Sequence, residues 1–266
     1  MKIDKNTSYL IGFFQTDGNL YRDKNSKYDK GHARIEISYK DVDILEKIQN
    51  IITYKSTIRD RYRDIIMKGK IYHHHSVSLS IYNKDFRKFI NENGVPYGKK
   101  SKTISPPKNI IREDYIRGLI DGDGSLGFMK SGVPFISFVS ESDEVIDYLL
   151  DYFSEITNKD KKIMNRNTRD NLYNILIQSE DAIKFCEYIY YDGCLSLDRK
   201  YNISQDIIRW ERPDSMVKVT WQRKKWTNEE DDFILDHNIY DSVVKLNRTE
   251  KSIEMRLIRL KNNFLY

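Results

Sequence analysis

Two acidic residues stand where a carboxylate is least favoured. In "LIGFFQTDGNL" (Leu10–Leu20) an apolar run ends on Asp17 and Gly18, and in "YIRGLIDGDGSLGF" (Tyr115–Phe128) a second ends on Asp123 and Gly124. The apolar spacing predicts a helix before each acid. A helix C-terminus carries about half a negative charge, so a cation belongs there. The glycine that follows is the ordinary stop, free to adopt the left-handed conformation. Two like charges at two such ends, brought together, require cations between them. Oxygen donors with no His or Cys at motif spacing suit Mg²⁺ (or Mn²⁺), which keeps several of its waters. Tyr9, Gly12, Asp17, Gly18 and Leu20 superimpose on Tyr115, Gly118, Asp123, Gly124 and Leu126, so the oddity belongs to an internal repeat.

The elements that must position these acids recur in the same order. After each Asp-Gly comes a hairpin, in which Ala33, Ile35 and Ile37 alternate with Arg34, Glu36 and Ser38. A helix follows ("DVDILEKIQNIIT" and "SDEVIDYLLDYFSEIT"), then a second strand pair, then a closing helix ("KDFRKFINENG" and "EDAIKFCEYIYYDG"). The expected class is α+β: two pseudo-symmetric αββαββα units, each an antiparallel sheet with helices on one face. The expected domains are 1–108, 109–218 and a C-terminal appendage at 219–266.

The other sheet face is polar and basic. Arg22 and Arg34 lie in the first hairpin, and "YKSTIRDRYRDIIMKGKIYHHH" interleaves Lys55, Arg59, Arg61, Arg63, Lys68 and Lys70 with Tyr54, Tyr62 and Tyr72. Lys162, Arg166 and Arg169 fall in the matching stretch of the second copy. Such a face suits DNA grooves and phosphates. Alternation lets only His73 and His75 of "HHH" face one way, too few ligands for a metal site, so they read as groove contacts. The 266 residues carry 45 basic and 40 acidic side chains, a net +5 that permits a nucleic-acid partner without demanding one. Cys186 and Cys194 sit among apolar residues as reduced core thiols. No basic-then-apolar leader opens the chain and no apolar run spans a bilayer. The expectation is a soluble, intracellular protein, in a bacterial or phage-infected cell or an organelle.

These residues resemble the LAGLIDADG homing endonucleases in their monomeric two-motif form. "IRGLIDGDG" is close to the signature; "LIGFFQTDG" departs at Gln15 and Thr16 but keeps the glycine, the final Asp and the closing Gly. The likeness runs from about Ser8 to Arg209. "GVPYGKKSKTISPP" and "DGCLSLDRKYNIS" place Lys100 and Lys200 just beyond the last helix of each copy, where the family carries a catalytic basic residue. The resemblance implies a DNA-binding saddle that hydrolyses both strands of a specific double-stranded site, leaving short 3′ overhangs, as in intron homing. Asp17 and Asp123 would hold the divalent metal with the backbone carbonyls of Thr16 and Gly122, and Lys100 and Lys200 would offset charge on the phosphate. Gly12 and Thr16, like Gly118 and Gly122, are four apart on one helix face, so Gly12 and Gly118 would let the two helices pack closely. The competing reading is a non-cutting binder on the same scaffold, an intron RNA maturase or a transcriptional regulator.

The appendage changes pattern. Thr227 with Glu230 forms a capping box, a short helix is expected near Tyr240–Leu246, and a third begins at Thr249 with Ile253, Leu257 and Leu260 inward. It resembles a Myb/SANT-type helix-turn-helix with Trp226 as first core aromatic. The third helix would then bring Lys251, Arg256, Arg259 and Lys261 to the major groove.

Overall fold

Asp4 opens the first helix. Its carboxylate accepts from the Thr7 amide at 2.8 Å while Thr7 Oγ1 accepts from the Asp4 amide at 2.7 Å, and this reciprocal cap starts α1 (Lys5–Thr16). In the computed structural model the described residues are 1–67, 69–160, 167, 170–216 and 225–263, the last three by backbone alone. They divide into two compact units, Met1–Arg212 and Pro213–Tyr266.

In the first unit α1 is followed by β1 (Gly18–Arg22), β2 (Gly31–Ser38), a 3-10 turn (Tyr39–Asp41), α2 (Val42–Ile51), β3 (Ser56–Met67), β4 (Lys70–Ile81) and α3 (Lys84–Glu92). The order begins again with α4 (Arg112–Asp123), β5 (Ser125–Phe128), β6 (Pro134–Ser140), α5 (Asp143–Thr157), β7 (Tyr173–Gln178) and α6 (Glu180–Ile189), and adds α7 (Asp198–Ile208). The antiparallel sheets run β1-β2-β4-β3 and β5-β6-β7. The class is α+β, as expected. The strand expected before Tyr173 falls largely outside the described residues.

Period-two alternation sets which face is buried. Ala33 and Ile35 of β2 and Val77, Leu79 and Ile81 of β4 share one core with Ile44, Leu45 and Ile48 of α2 and Phe86 and Ile90 of α3. The opposite face is polar and basic, and its side chains are bonded to one another. Ser76, Ser78 and Ser80 are buried beneath the long side chains around them. Arg34 Nε donates to Ser80 Oγ at 3.0 Å, and Glu36 accepts from Ser76 Oγ at 2.8 Å, from Arg61 at 2.8 Å and from Arg63.

The second unit contains α8 (Asn228–Asp236), α9 (Ile239–Leu246) and α10 (Glu250–Asn263). Thr227 and Glu230 cap each other as expected, with both bonds within 3.3 Å. Ile234 and Ile253 are buried, while Leu257 and Leu260 are half-buried. Trp226 is also half-buried, with the Arg248 guanidinium 4.0 Å above its ring. The boundary expected at Lys218 lies outside the described residues.

Candidate active site

The two motif helices meet backbone to backbone. A Cβ on Gly12 would stand 2.2 Å from the Tyr115 carbonyl oxygen, and one on Gly118 would stand 2.2 Å from that of Tyr9. No side chain fits at either place. Hydrogen bonds then cross the pair: Tyr9 Oη donates to Asp121 at 2.8 Å, and Tyr115 Oη to Gln15 at 2.6 Å. Gln15 and Asp121 are equivalent positions, and their surroundings explain the departure from the motif. Asp121 also accepts from Tyr190 Oη at 2.7 Å and the Leu197 amide at 2.8 Å, so its site needs an acceptor. Gln15 instead donates to the Ser105 and Gly94 carbonyls at 2.7 and 3.2 Å, which a carboxylate could not do. The signal for both tyrosines was present in the repeat, but their partners were not readable.

At the C-termini the cations demanded by the helix ends are supplied by the two lysines. Lys100 Nζ donates to the Phe14 carbonyl at 2.7 Å, to that of Thr16 at 2.6 Å and to that of Gly18. Lys200 Nζ donates to Ile120, Asp121 and Gly124 at 2.6, 2.7 and 2.8 Å. An ammonium has three donors, and each lysine spends all three on carbonyls at its helix end. The positions differ from expectation: Lys100 precedes a turn, whereas Lys200 lies inside α7 and is buried. Gly18 and Gly124 are not left-handed either; Gly124 has φ −84°. They are glycines because a Cβ would come within 2.3 Å of the Phe14 ring or 2.6 Å of the Ile120 carbonyl.

Burial, and then Asp123, push the Asp17 carboxyl up to about 6, against the opposing pull of Lys100 and Lys200. Burial raises Asp123 too, again opposed by both lysines. The lysines are pulled down to about 8, chiefly by burial. Each acid lines its own hollow together with the helix end of the other motif. One, of about 190 Å³, is bounded by Asp17, Gly122, Ser38, Asp41 and Arg199; the other, of about 380 Å³, by Asp123, Thr16, Ser140, Glu141 and Lys100. Arg199 and Asp41, both missed in the sequence, form a fork at 2.7 and 3.1 Å on the Asp17 side.

The donor set fits a hard divalent cation. A Cβ at Gly122 would lie 1.8 Å from Thr16 Oγ1 and 3.1 Å from Asp17 Oδ2, so the glycine lets the Thr16 side chain and the Asp17 carboxylate close against the second helix end. Among the described residues no group of three or more His, Cys, Asp and Glu is placed to hold a metal, which leaves paired carboxylates and helix-end carbonyls as the candidate protein donors.

The strand residues separate by register. Arg59, Arg61 and Arg63 pair with Ser78, Ser76 and His74, and Lys70 pairs with Met67, all on the open face with Arg34. His73 and His75 point the other way, opposite Asp64 and Tyr62; His75 is stacked between Tyr39 and Tyr62 and bonded to Asp60 at 2.6 Å. Arg22 shares the face of Leu20 and pairs with Asp29 at 2.6 Å. These three are therefore not with the arginines. Lys68, Lys162, Arg166 and Arg169 lie outside the described residues, as does the Lys261 side chain. In the second unit Lys251 and Arg259 are exposed, but Arg256 is forked onto Asp231 at 2.5 and 2.7 Å. No helix among the described residues is long and apolar enough to cross a membrane.

Residues 112–190 match the LAGLIDADG-like domain family. The chain is 24% identical over 221 residues, 81% of its length, to the replication factor C small subunit of Methanocaldococcus jannaschii, and spans only 11% of that relative. Among solved structures, the homing endonuclease I-WcaI bound to its DNA recognition sequence superimposes with a TM-score of 0.50 at 17% identity, covering 78% of this chain and 88% of that one. The N-terminal LAGLIDADG domain of DUF199/WhiA gives 0.43 at 15% identity, covering 75% and 86%. Residues 112–190 thus form a LAGLIDADG-like domain, and the chain shares the fold of a homing endonuclease.

Proposed function

We propose that this chain is a LAGLIDADG endonuclease that cuts both strands of a specific double-stranded DNA site as a monomer. One observation carries the reading: two acids at the ends of closely packed helices, each facing a hollow shared with the other motif's helix end. One hollow per scissile phosphate is what a double-strand cut by a single chain needs. Asp17 and Asp123, ionised, would hold Mg²⁺ or Mn²⁺ with help from the carbonyls of Thr16 and Gly122. The ion would supply an activated water and stabilise the leaving 3′ oxygen. With every Nζ donor engaged, Lys100 and Lys200 act by fixing the helix ends and by their positive field at the phosphate. Arg34, Arg59, Arg61, Arg63 and Lys70 would meet the phosphates and base edges of the duplex, Arg61 and Arg63 leaving Glu36 to do so. Lys251 and Arg259 are the better candidates for DNA contact in the second unit, since Arg256 is committed to Asp231.

The test is to incubate the purified chain with randomised duplex DNA and Mg²⁺ and to sequence the ends produced. A recurrent site with staggered 3′ ends supports the proposal. Selective binding without ends in either Mg²⁺ or Mn²⁺ would replace it with the non-cutting reading, a maturase or regulator.

A further inference from the structure

Beyond its arginines, the open face of the first half changes character. β3 and β4 continue as a two-stranded ribbon whose residues 59–67 and 70–74 are all exposed, and the register passes from Arg63–His74 to Ile65–Tyr72 and then Met67–Lys70. Three large side chains thus stand in solvent on the arginine face: Ile65 at 40%, Tyr72 at 48% and Met67 at 56% exposure. A ribbon end that only met water would gain nothing from them, and a grouped apolar patch marks a contact surface.

We propose that this end of the ribbon reads thymine, with Ile65, Met67 and the Tyr72 ring packing on C5 methyl groups in the major groove of the target. The inference rests on the DNA-cutting function proposed above and makes its substrate more specific. The face is continuous with Arg59, Arg61 and Arg63, so whatever the arginines bind extends past these residues. The major groove admits a two-stranded β-ribbon, and the thymine methyl is the apolar group that base edges present there. Lys70, at the end of the same face, supplies the cation for a flanking phosphate. Same-face side chains repeat about every 6.8 Å, close to two base-pair rises. The arginines, whose forks suit the O6 and N7 of guanine, would therefore be followed within a few base pairs by A·T pairs.

The experiment uses the full chain and the site recovered from the randomised duplex. Deoxyuridine, which lacks only the methyl, replaces each thymine in turn, and binding is measured by gel shift with Ca²⁺ in place of Mg²⁺. Two or more positions should each lose about fourfold in affinity, the scale of one buried methyl group. Ile65→Gln with Met67→Gln should abolish that sensitivity at one position or more, leaving at most the methyl packed on the Tyr72 ring. Ile66→Gln with Ile71→Gln, on the other face of the same ribbon, should preserve it. If the first double variant does not fold, the deoxyuridine series on the unmodified chain decides alone. A recovered site bound equally well with every methyl removed would overturn the inference while leaving the endonuclease reading standing, as would unchanged sensitivity in a folded Ile65→Gln, Met67→Gln protein. Recovery of no site at all would overturn both.

Discussion

At the helix ends, Asp17, Gly18 and Lys100 are matched by Asp123, Gly124 and Lys200, and each ammonium is held by three carbonyls, two of them at equivalent positions (Phe14 and Ile120, Gly18 and Gly124). On the open sheet faces the described strands differ. The first half presents Arg34, Arg59, Arg61, Arg63 and Lys70 along a four-stranded sheet with a long ribbon. In the second half the described residues of that face are Ser125, Gly127, Phe135, Ser137, Val139, Asn174, Leu176 and Gln178, with no Arg or Lys among them. On the proposed function, the repeated helix ends would serve two chemically equivalent phosphodiesters, one in each strand. Among the described strands the two faces are unlike, and one chain with unlike faces would be free to read an asymmetric site, whereas a symmetric dimer mirrors a palindromic one.

The largest effects should follow from breaking the duplicated part. Gly12→Val and Gly118→Val should each destabilise the first unit by about 3 kcal/mol or more, since a side chain would be forced into facing backbone. Chemical denaturation checks this. A small loss at only one glycine would show that the helix contact is less symmetric than the Cβ distances imply. Lys100→Met and Lys200→Met should each slow cleavage roughly tenfold or more while changing affinity far less, as for lost electrostatic stabilisation of the transition state. Equal losses of rate and affinity would make them ordinary phosphate contacts.

The acids give a prediction with a sign. Asp17 titrates near 6 when folded against 3.8 as a free side chain, so its ionised form is disfavoured by folding. Without metal, its contribution lowers stability as pH rises from about 4 to 6, and Asp17→Asn should stabilise the protein at pH 7 by about 2 kcal/mol. Bound Mg²⁺ favours the ionised carboxylate, so the acid limb of cleavage should lie below pH 6, and cleavage should fall above about 8 as Lys100 and Lys200 lose their charge. A destabilised Asp17→Asn protein would contradict the burial argument. The smallest effect should appear on the unlike faces. Lys70→Gln should reduce the slope of log affinity against log salt by about 1, as for one lost phosphate contact, whereas Gln178→Ala should leave it unchanged.

The acids and the motif glycines were legible in the sequence because each is marked by short-range spacing that recurs, whereas the two lysines were singled out by the family resemblance. What the lysines do was not legible, since the carbonyls they reach lie 76–86 positions away in the chain. The Gln15–Asp121 exchange looked like decay of a motif, and is explained only once the donors and acceptors around each position are known. His73 and His75 were placed with the arginines because the register of a hairpin decides the face, and a one-residue slip reverses it. Arg22 and Arg256 looked free because nothing local announces that Asp29 and Asp231 will meet them.

The central claim is that both acids serve one divided active site. It is tested most directly by labelling each strand of the recovered target and following its cleavage in Mg²⁺ by the parent chain, Asp17→Asn and Asp123→Asn, with binding measured in parallel. The account predicts that the parent cuts both strands, and that each single variant binds with nearly unchanged affinity yet makes no double-strand break. Full double-strand cleavage by either variant would contradict it.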